Sequence, residues 1–338
     1  MYFAEYLPRV GKVNITTSEE ITSLTTNSIT LSNGEGFCLP HEILLDDIVT
    51  EKNETGVTSI RCRSLGGRRL LASKNVLYSR KKWESDFFQA NKNKVSTLFC
   101  SCGKPVIELN NYSYIADMPS EYWHELMDLW HCHKPTVVSA DASKQSSRSP
   151  LYTSEFNTEL VPRENELLIG DSYFCLKMQD ETVANLGGEA HCAGCSKTLG
   201  KYNQKHHYYQ LYKWQLRFSA HKKLLDDIYH PRDFITQSLI NSIDSLGVRI
   251  YEICSFSAQA ITVWCFDLGV DIGLSDGTIE KNAMKILYKK GKPSLKNKQN
   301  VETLSVPQEC FDDFFSRIES VHATIQTKFD GEWNVSYI

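Results

Sequence analysis

The sequence lacks any long hydrophobic run and any large excess of one charge. The longest apolar stretch, around Ala258 to Leu268, is shorter than the roughly 18 residues needed to span a bilayer. The N-terminus has no basic region followed by an apolar one, so no secretory signal is expected. The net charge of −4 argues against a protein coated in nucleic acid. We therefore expect a protein of the cytoplasm and nucleus with no membrane partner.

The composition also excludes bulk disorder and a framework of disulfides. Hydrophobic residues make up 41% of the chain and charged residues 23%, which are ordinary globular values. At 338 residues, the chain has room for two domains and needs no cross-links to stay folded. Its 11 cysteines, accompanied by 10 histidines, are the unusual feature. Because thiols stay reduced in the cytosol and nucleus, we expect these cysteines either to bind metal or to fill core.

The pattern along the chain predicts an α+β protein with three regions. Residues 1–95 form a β-rich N-terminal region, with short branched or alternating segments broken by Asn-Gly and Gly-Gly turns. Residues 96–223 form a central region rich in Cys, His and Trp, and residues 224–338 form a mixed α/β region. Helical periodicity in the last region covers Phe234–Leu246 and Pro307–Ile325. Strands are predicted there at Arg249–Ser255, Ile261–Asp267 and Met284–Tyr288.

The central region contains a predicted helix followed by a polar loop. The helix covers residues 119–131, because Pro119 suits the first helical position and apolar residues recur after it at helical spacing. Glu121 favours the positive end of the helix dipole. Residues 137–150 hold five serines and almost nothing apolar beyond two valines, which predicts a mobile loop.

Two close pairs of cysteines in the central region have the spacing of metal ligands. A tetrahedral zinc site commonly takes its ligands from two tight turns that lie far apart in the chain. Gly103 and Gly194 would allow the backbone of each turn to curl around the ion. The alternative is that these are reduced core thiols, which are among the most buried side chains. The zinc interpretation predicts four ligands, which are Cys100, Cys102, Cys192 and Cys195.

Three further donors close the predicted helix, namely His131, Cys132 and His133. Cys132 or His133 could replace one of the four cysteines at the zinc site. Cys132 could instead act as a nucleophile whose pKa a neighbouring histidine lowers. That interpretation needs a bend, because adjacent helical residues point about 100° apart.

Two other segments carry features seen in nucleic-acid-binding proteins. Lys281 to Lys298 holds seven lysines and no acid, so direct RNA binding is one interpretation and a solvated flank is the other. The aromatic group from His206 to Trp214 alternates like a strand. It predicts packing within a sheet rather than a platform for stacking bases.

The motifs in this order resemble the HECT-like E2-binding protein family, over about residues 95 to 290. The resemblance rests on Phe99-Cys100-Ser101-Cys102-Gly103, on Met118 to Trp123 running into Trp130-His131-Cys132-His133, on Gly170 to Phe174, and on Cys192 to Cys195 with Leu199-Gly200.

The resemblance implies two activities. Members of the family are E3 ubiquitin ligases that bind an E2, and the yeast member is known as important for cleavage and polyadenylation. The second activity is binding of the pre-mRNA 3′-end processing endonuclease, a metallo-β-lactamase-type enzyme with two zinc ions. The resemblance further implies that the Trp-His-Cys-His segment enters that active site, where Cys132 binds a zinc of the partner and holds the nuclease inactive. The partner-binding residues implied are Pro119, Glu121, Trp123, Trp130, His131, Cys132 and His133.

The ligase activity lacks a matching catalytic cysteine in this sequence. A HECT mechanism needs a thioester-forming cysteine near the end of the chain in a Thr-Cys context. Cys254 and Cys265 lie in predicted strands and Cys310 follows Pro-Gln-Glu, so none has that context. We therefore expect a 3′-end processing factor that binds the endonuclease, with a HECT-like E3 ligase as the alternative. No catalytic residue is assigned, and Cys132 is the one candidate.

Overall fold

The protein consists of two compact units, each of which has its own sheets. The computed structural model describes residues 1–53, 56–67, 83–119, 161–178, 182–218, 228–291 and 301–338. The first unit combines Met1–Ser79 with Pro231–Ile338, and the second is Arg80–His230. Residues 1–79 of the β-rich N-terminal region and residues 231–338 of the mixed C-terminal region thus belong to one unit, while the cysteine-rich region lies in the second unit together with residues 80–95.

The elements are numbered in chain order. The N-terminal segment contributes β1 (Tyr2–Leu7), β2 (Lys12–Thr17), β3 (Ile21–Leu24), β4 (Ser28–Leu31), β5 (Gly36–Cys38), β6 (Ile43–Lys52) and β7 (Thr58–Ser64). The second unit contains α1 (Ser85–Ala90), β8 (Thr97–Cys100), β9 (Pro105–Glu108), β10 (Tyr114–Asp117), β11 (Glu166–Ile169), β12 (Tyr173–Leu176), β13 (Val183–Leu186), β14 (Glu189–Cys192), β15 (Thr198–Asn203), β16 (Tyr208–Tyr212) and β17 (Leu216–Phe218). The C-terminal segment adds α2 (Pro231–Leu246), β18 (Ile250–Ser255), β19 (Ala260–Leu274), β20 (Ile279–Lys290), β21 (Val301–Val306), α3 (Gln308–Ile325), β22 (Lys328–Phe329) and β23 (Trp333–Tyr337).

One large sheet joins the two ends of the chain in the first unit. Its strand order is β22-β23-β20-β19-β1-β2-β7-β6, and β18 pairs with both β19 and β21. The long strand β19 pairs with β18 along its first part and with β1 along its last. Register shifts interrupt its pairing with β20, and Gly269 there takes φ +76°. Such bulges bend a strand, which lets β19 serve two sets of neighbours.

The two faces of this sheet are covered by different elements. Side chains alternate along a strand, so Phe3 and Glu5 of β1 face one side while Tyr2 and Tyr6 face the other. Phe3 packs in a cluster that includes Val321 and Ile325 of α3. Tyr2 and Tyr6 belong to a second cluster, which the small sheet β3-β4-β5 helps to cover. The N-terminal strand is therefore buried on both faces.

The helices and strands predicted in the C-terminal region are present. The helix predicted at Phe234–Leu246 begins three residues earlier, at Pro231, and the helix predicted from Pro307 begins at Gln308. The strands predicted from short apolar runs prove longer, because β19 and β20 extend well beyond those runs. Strand therefore dominates the protein, and the α+β class holds with a strong bias to β structure.

The second unit has two sheets around an aromatic core. The larger sheet has the order β10-β11-β12-β16-β15-β14-β13, and the smaller has the order β17-β8-β9. Trp83 is fully buried, and its ring centroid lies 4.9 Å from that of Phe218 and 6.2 Å from that of Phe174. The predicted strand in the aromatic group is β16, which pairs with β12 and β15.

Part of the predicted central architecture lies outside the described residues. This applies to the helix over 119–131 beyond Pro119 and to the loop over 137–150, both of which stay predictions. Within the part of the chain that the structure describes, no helix is long and apolar enough to cross a bilayer.

Candidate metal centre

The first half of the candidate centre is the turn that joins β8 to β9. Cys100 is the last residue of β8, and its backbone N–H donates to the carbonyl of Lys104 at 2.9 Å. The N–H of Gly103 donates to the carbonyl of Cys100 at 2.8 Å. Gly103 has φ +86°, a conformation that a side chain disfavours. The glycine therefore closes a tight turn that carries Cys100 and Cys102 at its tip.

The turn between β14 and β15 repeats this hydrogen-bond pattern. The N–H of Cys192 donates to the carbonyl of Lys197 at 2.9 Å, and the N–H of Ser196 donates back to Cys192 at 2.8 Å. Ser196 takes φ +58°, so it occupies the place that Gly103 has in the first turn. Each turn thus ends on a cysteine, a residue with positive φ and a lysine.

The two turns bring the four predicted cysteines together. All four Sγ atoms lie within 4.8 Å of one another. The Cys100 and Cys195 sulfurs are 3.7 Å apart, as are those of Cys102 and Cys192. A tetrahedron with zinc–sulfur bonds of about 2.3 Å has edges of roughly 3.8 Å. The thiol positions therefore match a tetrahedral zinc site in both donor type and spacing.

Burial of the cysteines argues against the alternative of core thiols. Cys100 and Cys192 are buried within the core cluster of the second unit, whereas Cys102 and Cys195 are exposed. A core-filling thiol has no reason to lie at the surface, while a ligand on a turn does. The centre thus joins core to surface, and it also links the smaller sheet, through β8, to the larger one, through β14.

The charge around the cluster suits a metal thiolate. Zinc with four thiolates carries a net charge of 2−, which nearby cations stabilise. The Lys197 ammonium lies 3.4 Å from the Ser101 hydroxyl, within the first turn. The Lys197 backbone lowers the pKa of Cys195, but the hydrogen bond with Cys102, the loss of solvation and the hydrogen bonds with Cys100 and Cys192 raise it to about 12 overall. A bound cation would reverse this preference for the thiol form.

Sequence reasoning missed several residues that support the two turns. The sequence predicts that Gly194 eases the curl of the backbone, but Gly194 does not adopt positive φ. Its lack of a side chain instead lets the first turn approach closely, because a Cβ at Gly194 would lie 2.9 Å from Cδ of Lys104 and 3.6 Å from Sγ of Cys102. The His191 ring contacts the Ser196 carbonyl at 3.1 Å and so braces the second turn. The repeated pattern of a cysteine, a small residue and a lysine is the signal that could have indicated two equivalent turns.

The predicted partner-binding residues fall almost entirely outside the described part of the chain. This applies to Glu121, Trp123, Trp130, His131, Cys132 and His133. Pro119 is described, and it lines a cavity of about 750 Å³ together with Tyr114, Asp117 and Arg163. The proposed participation of Cys132 or His133 at a zinc site therefore stays a prediction.

The lysine-rich segment is largely neutralised where it is described. Four of its lysines lie on β20, and each forms an ion pair with a carboxylate. The pairs are Lys281 with Asp271, Lys285 with Glu5, Lys289 with Glu332 and Lys290 with Glu319. Lysines already paired in this way offer less to a phosphate backbone. The remaining three, beyond Gly291, lie outside the described residues.

Comparison with known proteins gives relatives along the whole chain. The chain is 28% identical to "Uncharacterized protein YJR141W" of Saccharomyces cerevisiae, over 99% of this chain and 98% of that protein. It is 22% identical to "Uncharacterized protein C1734.10c" of Schizosaccharomyces pombe, over 99% and 97% of the two chains. A shorter match of 29% identity links 31% of this chain to 24% of a Mus musculus protein that is named as an E3 ubiquitin-protein ligase. No solved structure matches the chain.

The family comparison agrees with the motifs of the sequence. A family described as HECT-like ubiquitin-conjugating enzyme (E2)-binding matches residues 5–335, which cover both units. The chain belongs to this HECT-like, E2-binding family.

Proposed function

We propose that this protein is a non-catalytic, zinc-stabilised binding protein of pre-mRNA 3′-end processing that holds the metallo-β-lactamase-type endonuclease. In this proposal, the four-cysteine cluster maintains the fold and a separate segment binds the partner in the cytoplasm and nucleus. The non-catalytic part of the proposal rests on the burial and pKa of the C-terminal cysteines.

The C-terminal cysteines are poorly suited to form a thioester. Cys265 and Cys310 are fully buried. Burial raises the pKa of Cys265 to about 12 and raises that of Cys310 as well. Cys254 is partly buried, and its thiol donates to the Glu252 carboxylate across 3.6 Å. A nucleophilic cysteine needs access and a lowered pKa, so these residues support binding rather than transfer.

The composition of the cluster supports a separate role for Cys132. Four cysteines already supply the four sulfurs of a closed tetrahedral site, so Cys132 is not needed as a ligand there. Its thiolate, with His131 and His133 beside it, would be a strong ligand for an open zinc position in a partner. Occupying that position would hold the nuclease inactive. The motif resemblance supports this role, with Pro119, Glu121, Trp123 and Trp130 contributing to the contact.

Capture of the endonuclease tests this proposal. Cys132→Ala should leave the zinc content and the unfolding midpoint unchanged while reducing recovery of the nuclease in a pull-down. Cys38→Ala is the matched control, because Cys38 is an exposed cysteine of the first unit and should leave recovery unchanged. Equal recovery with Cys132→Ala and the unmodified protein would contradict the proposed contact.

A HECT-like E3 ligase is the second candidate, and the family match favours it specifically. The family is described as E2-binding, and the mouse relative is named as an E3 ubiquitin-protein ligase. This candidate predicts a reducible ubiquitin thioester on one cysteine after incubation with a charged E2. If the E2 binds but no thioester forms on any cysteine, the protein acts as an E2-binding factor without a transfer step.

A further inference from the structure

A pocket in the first unit combines an apolar wall with buried charge. It lies on the face of the large sheet that α3 covers, near the C-terminal end of that helix, and its volume is about 260 Å³. Phe266 and Phe329 border it, and they are 41% and 42% exposed. Glu5 and Tyr337 also line it and are buried, so the pocket runs from an aromatic rim to a polar interior.

The buried carboxylate in this pocket is fully occupied by protein donors. Glu5 accepts from the Lys285 ammonium at 2.8 and 3.1 Å and from the Asn14 amide at 3.0 Å. The Tyr337 hydroxyl donates to it as well. An anionic oxygen accepts a limited number of hydrogen bonds, so Glu5 has little capacity left for a cationic ligand.

The lysines of the pocket retain capacity for an anion. The Lys285 ammonium has three N–H donors, and among the described residues its ion-pair contacts all go to the Glu5 carboxylate. Lys328 also lines the pocket, and the described residues offer it no ion-pair partner. Two lysines against one glutamate leave the lining with a net positive charge. The charge of the pocket therefore complements a negatively charged group.

The rim defines the apolar part of the ligand. The rings of Phe266 and Phe329 lie 5.8 Å apart between centroids and form one surface, which Trp264 extends. The pocket is slightly smaller than the roughly 300 Å³ at which ligand pockets usually begin. It therefore suits a group about the size of one large side chain rather than a nucleotide.

We propose that this pocket binds a small amphipathic carboxylate, whose apolar group packs on Phe266 and Phe329 while its carboxylate reaches Lys285 and Lys328. The carboxylate has two sources, a free organic acid or the C-terminal end of a polypeptide whose last residue is apolar. Both present the same chemistry to the pocket. Binding at this pocket requires neither the endonuclease nor the E2.

Ligand-observed NMR with the full chain tests this inference. N-acetyl-phenylalanine should bind with a Kd on the order of 1 mM, the value expected for so small a ligand. Its uncharged counterpart, N-acetyl-phenylalaninamide, should bind at least tenfold more weakly. Phe329→Ser and Lys328→Gln alter exposed positions on β22 and should each weaken binding at least threefold. Lys12→Gln, an exposed lysine of β2, is the matched control and should leave binding unchanged.

A second pair of probes distinguishes the two sources. Tighter binding of Gly-Gly-Gly-Gly-Phe than of N-acetyl-phenylalanine supports the site and assigns it to a polypeptide end. Binding of N-acetyl-phenylalanine with no gain from the peptide supports the site and assigns it to a free acid. Equal binding of acid and amide, or binding that neither Phe329→Ser nor Lys328→Gln changes, would overturn the proposal.

Discussion

Removal of metal from the four-cysteine cluster should destabilise the second unit by about 4–5 kcal/mol. The cluster ties the β8–β9 turn to the β14–β15 turn, and Cys102 and Cys192 are 90 residues apart in the chain. A cross-link that closes a loop of this length restricts the unfolded chain by about 4–5 kcal/mol in the chain-entropy treatment. A metal that binds only the folded arrangement imposes the same restriction. This amount is a large part of the stability of an ordinary domain.

The measurement combines metal analysis with denaturant unfolding. The purified protein should contain one zinc per chain, and X-ray absorption should show four sulfurs at about 2.3 Å and no nitrogen. Unfolding in urea, followed by fluorescence to which the buried Trp83 contributes, should shift to a lower midpoint after chelation. Cys102→Ser should lower the zinc content in the same way, while Cys38→Ser should retain one zinc.

Two results would contradict a zinc ion that has four cysteine ligands and stabilises the second unit. Complete loss of zinc without a change in midpoint would show that the cluster does not support the fold. A nitrogen in the zinc shell would show that a histidine replaces a cysteine, with His133 the predicted candidate, which would reopen the assignment of all four ligands. A nitrogen signal that disappears in His133→Ala would identify the residue.

Two further predictions concern the turns and the large sheet. Gly103→Ala should destabilise the protein by roughly 1–2 kcal/mol, because it forces a side chain into positive φ. Ser196→Gly should instead stabilise the protein by up to about 1 kcal/mol, because it removes a side chain from positive φ. Urea midpoints measured at constant zinc content check both changes, and equal shifts of the two midpoints would contradict a cost of positive φ at these turns. Burial raises the pKa of Glu319, but hydrogen bonds from Lys290 and Tyr288 lower it overall. The ionised Glu319 therefore stabilises the folded protein above its ordinary pKa of 4.5, and this stabilisation is lost as the pH falls through its lowered pKa in the folded state. Glu319→Gln should flatten the acid side of the plot of unfolding free energy against pH. An unchanged plot would contradict this prediction.

The local parts of the fold could be predicted from the sequence, because their signals are local. Helical periodicity predicted α2 and α3, since their buried residues recur on one side of each helix. The cysteine pairs predicted the metal centre, since two tight turns that each carry paired sulfur ligands are typical of structural zinc sites. Both patterns, the helical periodicity and the cysteine spacing, involve residues that lie close together in the sequence.

The pairing of the chain ends could not be predicted in this way. Strand β1 pairs with the end of β19, and Lys285 reaches Glu5 across 280 residues of sequence. No periodicity near either residue encodes that contact, because strand pairing depends on the whole sheet. For the same reason, the lysines of β20 look like a free basic segment in the sequence. Their acidic partners come from β1, β19, α3 and the turn before β23, which only the folded sheet brings near.

The closed character of the four-cysteine cluster separates two uses of zinc in the proposed function. A structural site with four protein ligands has no open position for exchange or catalysis. The zinc of the cluster should therefore stay with the free protein, whereas any zinc bound by Cys132 would belong to the nuclease.

Metal content measured on the free protein and on the complex distinguishes these sources. One zinc in the free protein, with no more additional zinc in the complex than the nuclease holds by itself, would place the extra metal in the partner. Two zinc ions in the free protein would instead require a second site in this chain and would contradict the proposed division.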